Sequence, residues 1–183
     1  MSDEPNEINA QGMMHELQKE LALLDELAAP LTTGAEILRH VKVLLTGNGK
    51  AAKALRQCWP QTIREAVFRC AALGLVPDGQ MCAIIPRQVK KRDGTVLGSA
   101  AHCEAGYRGL VWLVMGTGHY KDCYSQPGYQ ADEFRVELGT EPRIIHIPQT
   151  QGPRGPVVNA YAVVHTLTGG LDVEYSDAED LAD

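Results

Sequence analysis

Two glycines enclose a tyrosine and an arginine in the stretch EAGYRGLVWLVMGTGHY, residues 104 to 120. Tyr107 and Arg108 are followed at once by an unbroken apolar run from Leu110 to Met115. An aromatic ring beside a guanidinium at the edge of a buried element can hold a planar, negatively charged ligand, because the ring stacks and the cation pairs with the anion. Nucleic acid is one such ligand, and other ligands fit the same pattern.

Further cations and aromatic residues lie on both sides of this stretch. Four cations crowd one predicted hairpin, and Tyr120 and Lys121 follow the apolar run. Cations pair with phosphates, and aromatic faces stack on any base at about 1–3 kcal/mol each, so such residues can hold single strands without reading their sequence. Trp112, inside the apolar run, is expected in the core, whereas Tyr107 at its edge fits either role.

The charge of the chain is unevenly distributed. Its net charge of −6 disfavours a polyanion as ligand, but residues 1–36 hold one base and eight acids, and residues 132–183 hold three bases and ten acids. The middle, 37–131, holds thirteen bases and five acids, a net of +8. A basic centre between acidic flanks is typical of a phosphate-binding surface, although a solvated basic face explains it equally well.

Other kinds of chemistry find less support in the sequence. The stretch GNGKAA lacks the spacing of a phosphate-binding loop and predicts a turn between helices. No metal site is expected, because ligand spacing is absent and alternating strands would scatter the candidates, which are His102, Cys103, His119, Cys123, His146 and His165. Four acids, Asp132, Glu133, Glu137 and Glu141, raise the alternative of a metal-dependent nuclease, although no nearby lysine completes such a site. No nucleophile and base pair is recognisable.

The cysteines and the N-terminus indicate the compartment. The five cysteines are widely spaced without a CxxC motif, which predicts reduced thiols and neither a disulfide framework nor a zinc knuckle. The N-terminal MSDEPNEINA carries acids where a signal peptide needs bases, and the longest apolar run is far shorter than a membrane span. We therefore expect a cytoplasmic protein with no membrane association.

The first third of the chain is predicted to be helical. Apolar residues recur at helical spacing from Met13 to Ala28, where Pro30 stops the pattern, and again from Ile37 to Leu45 before the sequence Gly47-Asn48-Gly49. A third pattern begins at Pro60, which suits a first helical turn, and continues to Gly74. The first of these helices is amphipathic and acidic.

After Gly79 the pattern changes to short strands. Residues 81–85 and 96–103 alternate around the Asp93-Gly94 pair, which predicts a hairpin with Lys90, Lys91 and Arg92 beside its turn. The apolar run GLVWLVM fits either a buried helix or a buried strand. Strands are predicted at residues 120–125, 133–138, 143–147, 157–166 and 171–175. The sequence thus predicts an α+β fold, with N-terminal helices followed by an antiparallel sheet that consists of a hairpin, one inserted helix and a meander of strands.

Four stretches, in order, resemble the RecT-type family of phage single-strand annealing recombinases. ALGLVPDG (72–79) is similar to the family's junction between helices and sheet, and MCAIIPR (81–87) to its strand ending in proline. EAGYRGLVWLV (104–114) looks like its glycine, tyrosine, basic residue and glycine signature before an apolar helix. DEFRVELGT with IIHIP (132–148) is similar to its paired strands. The resemblance covers residues 35–176 and implies that residues 107–115 are helical.

The resemblance implies an ATP-independent protein, not an enzyme, that needs no cofactor. It would coat single-stranded DNA, pair it with a complementary strand and hold the nascent duplex in a basic groove of a homo-oligomeric ring or filament. A partner exonuclease and a host single-strand binding protein are the further partners that it suggests. On this interpretation the DNA-contacting residues are Arg87, Lys90, Lys91, Arg92, Tyr107, Arg108 and Lys121, followed by Arg135 and Arg143.

The expected organisation has three parts. Residues 1–33 form an acidic helical arm, 34–176 the DNA-annealing α+β core, and 177–183 an acidic tail. Family members usually continue into a basic helical segment, whereas this sequence ends SDAEDLAD, which suggests truncation relative to the family. The alternatives are the metal-dependent nuclease that uses Glu133, Glu137 and Glu141, and an interaction module without DNA affinity.

Overall fold

The computed structural model describes residues 7–137, 139–140 and 142–179. These residues form two compact units that divide between Leu110 and Val111. The helices are α1 (Ala10–Lys19), α2 (Leu21–Ala28), α3 (Gly34–Thr46), α4 (Lys50–Arg56), α5 (Pro60–Leu73) and α6 (Tyr107–Gly116). The strands are β1 (Cys82–Lys90), β2 (Val96–Ala105), β3 (Tyr120–Tyr129), β4 (Glu133–Glu137), β5 (Arg143–Ile147), β6 (Val157–Thr166) and β7 (Leu171–Asp177).

The N-terminal helical segment consists of two helices instead of the single helix that its periodicity predicts. At Glu20 the backbone leaves helical geometry, and the Glu20 amide donates to the carbonyl of Leu17, three residues back, so the regular ladder is interrupted. The Glu20 carboxylate accepts three hydrogen bonds from Arg64 of α5, at 2.6 Å, 2.8 Å and 3.0 Å. Leu17 and Leu24 are almost fully buried, so both helices contribute to the core of the first unit.

The boundaries of α3 and α5 follow the signals in the sequence. The Thr33 hydroxyl accepts a hydrogen bond from the Glu36 amide and caps α3. Pro60 occupies the first turn of α5, and Gly74 ends that helix with φ +64°, in the left-handed region that glycine tolerates. The predicted turn at residues 47–49 is present, but the prediction missed α4, a helix of only seven residues that begins immediately after it.

Strands β1 and β2 form the predicted hairpin, and both extend beyond their predicted ends. They pair antiparallel, with Ile84 opposite Cys103. The connection spans residues 91–95, where Gly94 has φ +85° and the Asp93 carboxylate accepts a hydrogen bond of 2.8 Å from the Thr95 amide. The Asp-Gly pair therefore turns the chain as its sequence predicts.

The second unit contains two separate antiparallel arrangements. Strand β6 lies between β3 and β7, whereas among the described residues β4 and β5 pair only with each other. The chain therefore leaves β3, forms the β4–β5 hairpin and returns to pair β6 with β3. The predicted α+β class is confirmed, but the strands of the described residues form three antiparallel sheets, and the meander is interrupted by this inserted hairpin.

The absence of a membrane-spanning helix and the division into two units both concern the described residues. Within the described residues, no helix combines the length and apolar character needed to cross a bilayer. The boundary between the compact units lies at Leu110, and α1 and α2 belong to the first of them. The functional division at residues 33 and 176 remains a prediction.

Candidate nucleic-acid interface

A tight turn before β1 provides the base of the candidate interface in the first unit. The Asp78 carboxylate accepts hydrogen bonds from the amides of Gln80 and Met81, both at 2.7 Å. Burial opposes ionisation of this carboxyl group, but the two amide hydrogen bonds outweigh that effect and lower the pKa of Asp78. Asp78 therefore carries its charge at neutral pH and fixes the backbone of residues 78–81.

The two glycines of the GYRG motif rest against this turn. The Gly106 amide donates to the Met81 carbonyl at 2.9 Å, and a Cβ at Gly106 would lie 2.5 Å from the Gln80 carbonyl oxygen. At Gly109, which is buried, a Cβ would collide with the Met81 carbonyl oxygen. Close contact between two backbone segments thus requires glycine at both positions and fixes where α6 begins.

Tyr107 and Arg108, which lie between these glycines, project into solvent. The Tyr107 side chain is 56% exposed, and the Arg108 guanidinium donates a hydrogen bond to the Gln80 side-chain carbonyl. Arg108 has no carboxylate partner among the described residues, so its charge is available to an anion. The turn that Asp78 fixes therefore also orients Arg108, through Gln80.

The apolar run after Arg108 differs from its prediction. Within α6 only Gly109 is buried, whereas Leu110 is 54% exposed and Trp112 is 44% exposed. The prediction that Trp112 is a core residue is wrong, because this helix contacts the turn through its glycines rather than through its large side chains. Trp112 lies four residues after Arg108 and so projects from the same side of the helix. That spacing was the signal available in the sequence.

The β1–β2 hairpin carries the densest group of cations. Lys90, Lys91 and Arg92 at its tip are exposed, and none has a carboxylate partner among the described residues. Arg87, nearer the base of β1, is different, because its guanidinium forms an ion pair of 2.5 Å with Glu104 of β2. The hairpin thus brings together the four basic residues that the sequence predicts, of which Arg87 is paired and the other three form no ion pair in the described structure. The Asp93 carboxylate in the same turn reduces the positive charge of the tip without cancelling it.

Three other predicted contact residues lie in the second unit. Lys121 is exposed on β3. Arg135 of β4 forms an ion pair of 2.7 Å with Glu137, and Arg143 of β5 is exposed opposite Glu137 in the strand register. Arg135 and Arg143 share their face of the β4–β5 hairpin with an acid, so the field of these cations is weaker than at the tip of the first hairpin.

Asp132 has a structural role rather than the metal-binding role that was considered for it. Its side chain is excluded from solvent and binds Arg154 through two nitrogens, at 2.5 Å and 3.0 Å. Its carboxylate also accepts hydrogen bonds from the backbone amides of Tyr129 and Gln149 and lies 3.0 Å from Nε2 of His146. The bond to Arg154 lowers the pKa of Asp132 strongly, against the effect of burial and together with the bonds from His146 and the two amides.

The remaining acids of the nuclease alternative do not form a metal site in the described structure. Glu133 is exposed, Glu137 is paired with Arg135, and Glu141 lies outside the described residues. Across residues 7–137, 139–140 and 142–179, the groups of three or more metal-ligating side chains comprise one cluster, of Cys70, Cys82 and Cys103. No observation therefore favours the nuclease.

The cysteine cluster was not predicted. The sequence interpretation considered Cys103 together with histidines, whereas the fold places it beside Cys70 and Cys82. These three residues are 12 and 21 positions apart along the chain, so only the packing of α5 on the hairpin brings them together.

Comparison with known proteins identifies relatives of the chain. Residues 35–182 match the model of the RecT family. The chain is 26% identical over 161 residues to Protein RecT of Escherichia coli (strain K12), an alignment that covers 84% of this chain and 56% of that protein. The chain thus spans little more than half the length of this curated relative.

Proposed function

The chain belongs to the RecT family, and we propose that it binds single-stranded DNA and anneals it to a complementary strand. Binding is independent of sequence and of ATP, no covalent bond changes, and no cofactor takes part. The complementary strands, rather than the protein, supply specificity, because contacts to phosphates carry no sequence information.

One observation carries this proposal. The tip of the β1–β2 hairpin holds Lys90, Lys91 and Arg92, exposed and without carboxylate partners among the described residues. Cations that are not held in ion pairs attract a phosphate backbone and release its counterions, which is the main source of sequence-independent affinity. In the same unit, Arg108 offers another free cation and Tyr107 an exposed ring on which a base can stack.

These groups suggest how two strands come together. Two single strands repel each other through their phosphates, and cations beside the backbone reduce that repulsion. Phosphate contacts leave the base edges free to pair, so a bound strand stays able to test a second one. The nascent duplex remains bound because its phosphates make the same kind of contact.

The finer parts of the proposal concern assembly and partners. We propose a homo-oligomer, as a ring or filament, which would align the basic hairpins of successive subunits along one strand. A partner exonuclease would generate the single strands, and a host single-strand binding protein would be displaced from them. Lys121, Arg135 and Arg143 remain proposed contacts of the second unit, with the two arginines weakened by Glu137.

The test is an annealing assay with two complementary labelled oligonucleotides, combined with single-strand binding over a salt series. The chain is expected to anneal the strands faster than they pair spontaneously. The K90A/K91A/R92A variant is expected to bind more weakly, with a log–log salt dependence shallower by about 2, because each lost phosphate contact removes about 0.7 from the slope.

A matched control removes three exposed lysines from the same unit, Lys42 of α3 and Lys50 and Lys53 of α4. The K42A/K50A/K53A variant has the same loss of charge and is expected to keep both the affinity and the slope. Equal losses in the two variants would mean that overall charge, rather than the hairpin tip, attracts DNA. No acceleration of annealing by the parent chain would refute the proposed function, and magnesium-dependent shortening of a labelled strand would instead support the nuclease.

A further inference from the structure

Three thiols from separate segments converge inside the first unit. Sγ of Cys70 lies 3.3 Å from Sγ of Cys103 and 3.6 Å from Sγ of Cys82. All three sulfur atoms lie within 4.8 Å of one another. Cys70 and Cys82 are almost completely buried, and Cys103 is half-buried.

The secondary structure explains this convergence. Cys103 of β2 is opposite Ile84 of β1, and Cys82 precedes Ile84 by two positions, so Cys82 and Cys103 share one face of the hairpin. Cys70 belongs to α5, which packs on that hairpin and brings the third thiol against the other two. Two strands and a helix therefore each contribute one sulfur, and no loop has to move to bring them together.

The spacing of the sulfur atoms suits a metal ion. Zinc binds thiolates at about 2.3 Å, and in tetrahedral geometry its sulfur ligands are roughly 3.8 Å apart. The separations of 3.3 Å and 3.6 Å in the structure are shorter by only a few tenths of an ångström. Small rotations of the side chains would thus open the cluster enough to admit the ion.

Charge distinguishes between the cations that prefer thiolates. Three thiolates around a monovalent ion leave two negative charges in a mostly buried site, whereas a divalent ion leaves one. Arg69 of α5 interacts electrostatically with Cys103 and offsets that remaining charge. The half-buried side of Cys103 gives the ion an entry path and a place for a water molecule as fourth ligand.

We propose that Cys70, Cys82 and Cys103 form a binding site for a divalent thiophilic cation, of which Zn²⁺ is the natural probe. The ion replaces one proton on each thiol that it binds, so its affinity rises with pH. The bound ion would connect α5 to both strands of the basic hairpin.

The experiment uses the full chain, reduced and freed of metal by a chelator. Zn²⁺ is expected to bind one ion per chain and to raise the Tm by about 5–10 °C when its free concentration is a hundred times the Kd. Co²⁺ in place of Zn²⁺ is expected to give thiolate charge-transfer absorption, which reports the sulfur ligands directly. Neither readout depends on DNA annealing.

Two serine variants separate this site from adventitious binding. Cys103→Ser alters the most accessible thiol of the cluster, and Cys123→Ser removes a thiol of similar exposure from the second unit. Cys103→Ser is expected to lose the Zn²⁺-induced rise in Tm and the cobalt absorption, whereas Cys123→Ser keeps both. Loss in Cys123→Ser, retention in Cys103→Ser, or the absence of cobalt–thiolate absorption in the parent chain would each overturn the proposal. The last of these readouts does not require any variant to fold.

Discussion

The two compact units build their interiors by different chemistry. In the described structure, the largest fully buried side chains lie between Leu17 and Cys82, in the first unit, and nearly all of them are apolar. The second unit has instead a carboxylate, Asp132, excluded from solvent and held by Arg154 and His146. Apolar burial depends on volume and is insensitive to pH, whereas a buried ionic network depends on geometry and on ionisation. The first unit should therefore lose stability when a buried side chain is made smaller, and the second when its ionic network is broken or titrated.

The second unit also relies on aromatic packing beside this network. Phe134 of β4 lies 5.7 Å, between ring centroids, from both Tyr161 of β6 and Tyr175 of β7. The Tyr161 hydroxyl is 3.1 Å from Nδ1 of His146, whose other nitrogen contacts Asp132. The polar network and the aromatic cluster thus share His146 and Tyr161, so a change in one affects the other.

The largest effect is expected from a cavity in the apolar interior of the first unit. Ile63 of α5 is fully buried, and Ile63→Ala should lower the free energy of unfolding by about 2–5 kcal/mol, because it removes buried methyl groups and leaves a void. Urea denaturation at several pH values measures this loss, which should be the same at pH 5 and pH 7. The matched control is Ile147→Ala in β5, where the side chain is 54% exposed and the loss should be small. Equal losses at the two positions would contradict the comparison.

A smaller effect is expected where the backbone of α6 meets the turn before β1. Gly109→Ala places a Cβ against the Met81 carbonyl, and relief of that overlap should cost about 1–3 kcal/mol. The shift also moves Arg108 away from Gln80, so single-strand affinity should fall although no cation is lost. Gly116→Ala, at the end of the same helix, has no heavy atom near the added Cβ and serves as control. If both variants bind DNA like the parent chain, this docking does not position Arg108.

Much of the fold follows from local signals in the sequence. Apolar periodicity with Pro60 and Gly74 defines α5, and the Asp93-Gly94 pair defines the first hairpin, because these residues restrict the backbone where they stand. The resemblance to a family, rather than the periodicity, assigned residues 107–115 to a helix. In the candidate site, the exposed cations of the hairpin tip could be predicted in the same way, whereas the sequence left Tyr107 open between a core residue and an exposed one.

Features that depend on tertiary packing could not be predicted. Cys70, Cys82 and Cys103 lie far apart along the chain, and their convergence requires both the register of the hairpin and the position of α5. An aspartate before a strand looks the same in sequence whether it is exposed or buried, and only the position of Arg154 distinguishes the two. Trp112 is a different case, because its spacing from Arg108 is a local signal for the exposed side of the helix. Burial, the usual state of a hydrophobic run, is the wrong prediction here because two glycines make the contact.

The smallest effect on overall stability, and the most specific one, is expected from acidification of the second unit. The bond to Arg154 holds the pKa of Asp132 below its ordinary value near 3.9, so this carboxylate stabilises the folded state fully above that pH. Below about pH 4, Asp132 becomes protonated in the unfolded chain but stays ionised in the folded unit, so its stabilisation of the folded state is progressively lost. Asp132→Asn lacks the charge throughout, so it should be less stable than the parent at pH 7, and the gap should narrow towards pH 3. Thermal denaturation from pH 7 to pH 3 measures this gap, with Asp122→Asn, an exposed carboxylate on β3, as the control.

The groups that face Asp132 are Arg154, which keeps its charge throughout, and His146. A gap that stays constant from pH 7 to pH 3 would show that Asp132 does not hold the second unit together by its charge.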